Sequence, residues 1–478
     1  MSNLKILKEH QEEFFKALLW VNEEKTEVYF SFERIDSGLD LSSSTLKNIL
    51  DDASVVYGVD GNAIKNIVEK MGAGDMETGP KTYLVAKGKP VEHGRDGYVD
   101  YLIKPSPEEV YFDPDTEDVI DYKSTNLITN VNGEQHLATI MNPTVPENGM
   151  DVFGQAVEAK VGVPLKIKIG ANVVTDGDRL YAACSGRFIK DGDSLSVNPV
   201  YLVREDVGYR VGNINFIGKV EIQKDVLDDF SVYAKAGIEV NGIVGAASLE
   251  CEGNIVMNGG MNGKGKGFVR AQGSISAKYL NETTVVSWGD VSVQKSIINS
   301  LVKTKGKVEG QNISVMGGEV MALMGIDVSA AGSDLGNITT LVAGQDYELK
   351  DKIKAYETQL LEISQEIDRI DRIIGPILAD KSKLMSLSVD KKKALKGLLE
   401  QLKRYREEQT RARMESEVLQ KEATSVSVKE IVVRKILYTG VRVVIGNCKK
   451  VIKADIKGPI RLREDLENDT ISITSITL

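Results

Sequence analysis

The residues most able to do chemistry form a glycine and lysine run, Gly259-Gly260-Met261-Asn262-Gly263-Lys264-Gly265-Lys266-Gly267, in which Gly260 to Lys266 meets the GxxxxGK spacing of a phosphate loop. Such a loop works because glycines turn backbone N–H groups toward a phosphate, a Ser or Thr holds magnesium, and a helix N-terminus follows. Here position 267 is Gly, and Phe268-Val269-Arg270-Ala271 reads as a continuing strand, so nucleotide binding is not expected. The run is read as a wide corner with two exposed lysines, and Gly260, Gly263, Lys264, Gly265 and Lys266 are the candidate interaction residues. His93 precedes Gly94-Arg95-Asp96-Gly97. A general base needs an orienting partner and a nucleophile within reach, and the sequence supplies neither, so this segment is read as a hairpin turn. Asp113-Pro114-Asp115-Thr116-Glu117-Asp118 begins like a calcium loop but lacks Gly at the sixth position and Glu at the twelfth, and reads as an acidic loop. Cys184, Cys251 and Cys448 are odd in number, far apart and without CxxC spacing, which argues against a disulfide framework or zinc site and for a reducing, cytoplasmic compartment. No catalytic residue, metal ligand or cofactor is assigned.

The elements that carry these residues emerge from a repeat. Gly212-Asn213-Ile214, Gly253-Asn254-Ile255, Gly273-Ser274-Ile275, Gly289-Asp290-Val291 and Gly306-Lys307-Val308 share one phrase, with a shorter form at Gly237-Ile238-Glu239-Val240. From Gly237 onward the spacing is about 16 to 20 residues, the mark of a solenoid whose coils bury an inner face only by stacking. Alternation at period two and abundant β-branched residues make the coils β, and glycine at each corner is expected to supply positive φ or a tight turn. The expected core is a right-handed parallel β-helix over residues 206–343.

After Gly344 the sequence turns charged and nearly glycine-free. Leu349, Ile353, Tyr356, Leu360, Ile363, Ile367, Ile370 and Ile374 follow a coiled-coil seam, and Gly375-Pro376 interrupts it. A second seam at Leu395, Leu398, Leu402 and Tyr405 completes an antiparallel coiled-coil hairpin over 344–424, with a docking surface or a seam between protomers as its sharper reading. Residues 425–478 revert to short strands expected to return to the solenoid and cover an open end. Residues 1–125 are read as an N-terminal α+β domain, and 126–205 as a small β domain. Within the first, residues 1–20 read as an amphipathic helix lacking a secretory apolar run, 43–71 as helical around Gly58-Val59-Asp60-Gly61, and 82–88 with 97–103 as a β-hairpin.

Several segments together are similar to a known family: Val56-Tyr57-Gly58-Val59, Ala86-Lys87-Gly88-Lys89-Pro90, Gly94-Arg95-Asp96-Gly97, Gly212-Asn213-Ile214-Asn215-Phe216-Ile217-Gly218 and the run from Gly259 to Ala271. This combination resembles the flagellar assembly protein A family of bacteria, a domain long without an assigned function. The resemblance implies a β-solenoid core and a link to flagellar assembly, and it carries over no catalytic residues. One coil departs from the pattern, since Gly237 follows Ala236 and meets Ile238 directly.

The expectation is a non-enzymatic scaffold or interaction protein with protein partners, a homo-oligomer being allowed. A formal net charge of −10 disfavours nucleic acid, and no apolar run is long enough for membrane insertion. A bactofilin-like, polymer-forming cytoskeletal protein is the first alternative. A carbohydrate-active β-helix enzyme is the second, weakened because the strands present no coil-to-coil stack of acids for a metal.

Overall fold

A computed structural model of the chain describes residues 4–12, 15–35, 42–73, 81–107, 128–334, 336–379, 385, 387–424, 430–465 and 467–477. The acidic segment from Asp113 to Asp118 lies outside the described residues. Two compact units are present: residues 1–104, 136–168 and 174–181 form one, and 105–135, 169–173 and 182–478 form the other.

In the first unit Leu4–Gln11, Phe15–Asn22, Glu27–Ile35 and Thr82–Lys87 form an antiparallel sheet in sequence order. The expected N-terminal helix is therefore two strands. Phe15, Ala17, Leu19 and Val21 alternate inward and pack with Phe30 and Phe32 against two helices, α1 (Ser43–Asp52) and α2 (Gly61–Gly72). The five apolar residues Ala17 to Val21 satisfy a strand or a helix, and the neighbouring strand edges decide for the strand. Both helices fall where the periodicity places them. Ser42 caps α1 through Thr45 N–H, and Asp60 caps α2 through the N–H groups of Asn62 and Ala63.

The expected hairpin of residues 82–88 and 97–103 does not form. Thr82–Lys87 joins the sheet above, whereas Tyr98–Tyr101 pairs with His136–Met141, which also pairs with the strand containing Arg179, Leu180 and Tyr181. The intervening residues are no tight turn. They run extended against residues 144–150 through the bridges Lys89 to Met150 and Glu92 to Glu147.

The second unit is a parallel β-solenoid of about eight coils from Val200 to Ala343, a column of roughly 40 Å at about 4.8 Å per coil. Stacks of buried side chains fill it, at least one on each of three faces. Val220, Ile238, Ile255, Ile275, Val291, Val308 and Ile326 lie in register on one face. Val232, Leu249, Val269, Val285, Val302, Val320 and Leu341 do so on the second. The third, Val226, Val244, Met261, Leu280, Ile297 and Val315, completes a single core. The first face carries a further registered stack, Ile222, Val240, Met257, Ala277 and Val293, and no coil closes any of these stacks alone.

The repeating phrase has a different cause from the one expected. Gly253, Gly273, Gly289 and Gly306 are not in the left-handed region. They are glycine because successive coils approach too closely for a side chain: a Cβ on Gly289 would stand 2.7 Å from Ser274 Oγ and 2.8 Å from Ser274 N. The residue after the corner stitches coils together, Asn254 Oδ1 accepting from Ser274 N–H and Asp290 Oδ1 from Lys307 N–H, each at 2.8 Å. Ala236 holds the corner in the coil that departs from the pattern, and Gly237 is one position on, in register with Asn254. Gly212-Asn213-Ile214 belongs to the other face, since Ile214 pairs with Val232 rather than standing in the Ile255 stack.

Two long helices interrupt the coils, α3 (Tyr347–Leu378) and α4 (Val389–Thr424). Ile363, Ile367, Ile370 and Ile374 pack on Leu395 and Leu402 in an antiparallel hairpin. The helix continues past Gly375-Pro376 to Leu378, because a proline in the last turn leaves few intrahelical bonds to break. The solenoid then resumes: Glu430–Leu437 pairs in parallel with Ile326–Ala331, and Arg442–Ile445 with Thr339–Ala343. Antiparallel strands follow: Cys448–Val451 and Ile460–Asp465 pair onto that last coil, and Thr470–Ser475 pairs with Ile460–Asp465.

Candidate interaction surfaces

From Met261 onward the glycine and lysine run lies in one strand, Met261–Ala271, and no helix follows it. In the next three coils the same corner is a single residue in the left-handed region: Glu282 (φ 48°), Asn299 (φ 45°) and Gly317 (φ 74°). Here residues 263 to 266 fill the place of that one residue, so the backbone loops outward. Gly263 and Gly267 close the loop base, a Cβ on Gly267 falling 2.6 Å from Gly263 Cα. Gly260 is covered by the Tyr279 ring, which a Cβ would meet at 2.6 Å. Lys264 (φ 48°) and Lys266 are exposed. Lys264 Nζ, however, donates to Asp228 Oδ2 at 2.6 Å, and this contact, with the Ala246 N–H, holds the Asp228 carboxyl below its usual range. Of the two lysines expected to be available, one is already neutralised.

The Gly94-Arg95-Asp96-Gly97 segment is a stitched ribbon within the first unit rather than a turn. Gly94 N–H donates to Lys160 O, Arg95 N–H to Thr144 Oγ1, Gly97 N–H to Val163 O, and Val163 N–H to Asp96 Oδ1 at 2.7 Å. His93 Nδ1 accepts from Lys160 N–H at 3.1 Å. Its ring therefore serves the backbone, and Asp96 is spent on the same task. Arg95 remains exposed.

A site that the sequence reading missed lies where α3 leaves the solenoid. Trp288 and Lys305 occupy the same position in consecutive coils, following the registered pair Ser287 and Thr304. Trp288 Nε1 donates to Glu348 Oε1 at 2.8 Å, and Lys305 Nζ donates to Glu348 Oε2 at 2.5 Å while lying 5.5 Å over the Trp288 ring. Lys303 pairs with Asp351 at 3.1 Å. Tyr347 is buried against Met321 and Val342, and burial pushes its hydroxyl above the usual range. Asp346 caps the helix through Glu348 and Leu349 N–H, and Gln345 Nε2 donates to Gly446 O at 2.6 Å. These contacts bind the first turn of the hairpin to coils on both sides of it. The detectable signal was positional: an aromatic and a lysine stacked one coil apart beside a helix that starts with Asp and Glu.

On another face Arg434 grips Asp327 with two hydrogen bonds, of 2.7 and 2.6 Å, at the edge of a polar cleft lined by Ser276, Ser292, Gln294 and Asn312. Asp327 is thereby committed to a guanidinium. Among the described residues no three His, Cys, Asp or Glu side chains converge to hold a metal. Cys251 and Cys448 are buried thiols, and desolvation raises both above the ordinary value. No described helix is long and apolar enough to cross a membrane.

Fold and surfaces define a class: a parallel β-solenoid protein carrying an anchored helical hairpin. Two family models match the chain, the Flagellar Assembly Protein A N-terminal region over residues 17–193 and the Flagellar Assembly Protein A beta solenoid domain over residues 199–471. The chain belongs to the flagellar assembly protein A family, which ties it to flagellar assembly. No curated protein and no solved structure matches it.

Proposed function

We propose that the chain is a non-enzymatic, cytoplasmic scaffold in bacterial flagellar assembly, with the solenoid as a rigid base and the hairpin as the arm that presents a binding surface to a protein partner. The observation that carries this reading is the root of the arm. Three solenoid side chains, Trp288, Lys303 and Lys305, are used to fix Glu348 and Asp351, an investment that a passive loop insertion does not require. The test is complementation of a gene deletion in the native bacterium. Intact protein should restore motility, and a folded variant lacking the distal hairpin should not. Full restoration by that variant would remove the arm from the function.

The polymer alternative is disfavoured by the ends of the column. At the start, Asn130 Nδ2 donates to Asn215 O and Asn130 Oδ1 accepts from Ile217 N–H, while Ile128 packs on the core. At the finish, antiparallel strands occupy the last coil. End-to-end stacking would have to displace both.

A further inference from the structure

The far end of the hairpin differs from its shaft. Along the shaft charges are matched: Arg406 with Asp371, Lys403 with Glu407, and Arg413 with Glu417. At the far end Lys391, Lys392, Lys393 and Lys396 are exposed, and among the described residues none of the four meets a carboxylate. The described residues 387–397 contain four lysines and one aspartate, a net of +3 in a chain whose formal net charge is −10. Lys391 and Lys392 occupy the first turn of α4 beside Asp390, with Lys393 directly after, where the positive end of the helix dipole opposes them, while the last turn of α3, which would favour cations, has none. Beside them stand the apolar side chains Leu378, Met385 and Val389, exposed by 47%, 80% and 83%. Local helix stability explains neither feature.

We propose that this end of the hairpin is a peripheral docking site for an anionic lipid surface. Lysines supply long-range attraction to acidic headgroups, and their flexible stems keep the ammonium groups at headgroup level while Met385 and Val389 enter the acyl boundary. The apolar residues sit at the end of a projecting hairpin, a shape that suits a deformable interface better than a protein pocket. The inference goes beyond the scaffold reading and stands or falls separately from it.

Cosedimentation of the full-length chain with vesicles tests it. The chain should pellet with phosphatidylglycerol–phosphatidylethanolamine vesicles at low ionic strength and not with phosphatidylcholine vesicles. The triple variant Lys391→Glu, Lys392→Glu, Lys393→Glu should lose about tenfold or more in binding. Because acidic residues in a first helical turn suit the dipole, that variant keeps its helix, and circular dichroism verifies this. A double variant, Met385→Ser with Val389→Ser, should bind more weakly while keeping its salt dependence. Failure of the unaltered chain to pellet with the anionic vesicles, or equal pelleting of the triple variant, overturns the proposal. Displacement by polyglutamate, with no effect of the double variant, overturns it in favour of an acidic protein.

Discussion

Gly289 and Gly237 look alike in the sequence and differ in what surrounds them. A methyl group on Gly289 would collide with the backbone of the coil beneath it, whereas one on Gly237 would find its nearest atoms at 3.5 Å. Gly289→Ala should therefore destabilise by about 1–3 kcal/mol, and Gly237→Ala should stay within about 0.5 kcal/mol of the parent in urea unfolding. Equal effects would contradict the close approach of the coils. Val291 and Ile255 are fully buried in the same stack. An unpaired carboxylate there has no partner, so Val291→Asp should lose about 4 kcal/mol or more, and normal thermal unfolding of that variant would refute the inward phase. At the hairpin root the pH dependence has a defined sign. Burial pushes the Glu348 carboxyl up, but the hydrogen bond and charge of Lys305, with the Trp288 N–H, outweigh it and leave the group below its ordinary value of 4.5. A lowered carboxyl contributes stability above the unfolded value and loses it as pH falls through the folded one. Trp288 emission should thus shift on acidification with a midpoint below 4.5, read in a Trp20→Phe background, and Glu348→Gln should abolish the transition.

Among elements, the hairpin is a true insertion, since the strands before and after it are neighbours in the stack. Residues 339–343 and 442–445 pair in parallel across the interruption. Excising residues 350–424 and closing the gap with a short Gly/Ser linker should leave the solenoid folded, with its far-ultraviolet β signal and thermal midpoint retained. The cut must spare Tyr347, which is buried with Met321 and Val342, so removal from residue 346 onward should be measurably worse. An insoluble product from the conservative cut would show that the helices support the coils they interrupt.

For the whole molecule the decisive property is closure. A parallel column left open presents a row of unpaired N–H and C=O groups to any passing strand. Here Cys448–Val451 and Ile460–Asp465 pair antiparallel with strands of the last coil, and Thr470–Ser475 pairs onto Ile460–Asp465. Truncation after Ile445 should produce concentration-dependent association by sedimentation velocity, while the full chain stays as small species. A monodisperse truncated protein would mean that the cap serves some other purpose.

The sequence by itself determined the features that depend on burial period and local sterics. These are one β-branched residue per coil in constant phase, glycine corners, two α-helices after Ser42 and Asp60, and a heptad seam from Ile363 to Ile374. It also placed a strand, not a helix, after the run from Gly260 to Lys266. Only the tertiary structure decided that Phe15 to Val21 is a strand, that Ile214 faces a different stack from Ile255, and that Thr82–Lys87 and Tyr98–Tyr101 pair with separate partners. It alone brought Trp288 and Lys305 to Glu348, residues 60 and 43 positions away in the chain. The physical reason is common to all of these. A local pattern specifies which side of a segment seeks burial, but the edge it joins and the charge it meets depend on segments distant in sequence, whose positions are fixed only when the coils stack.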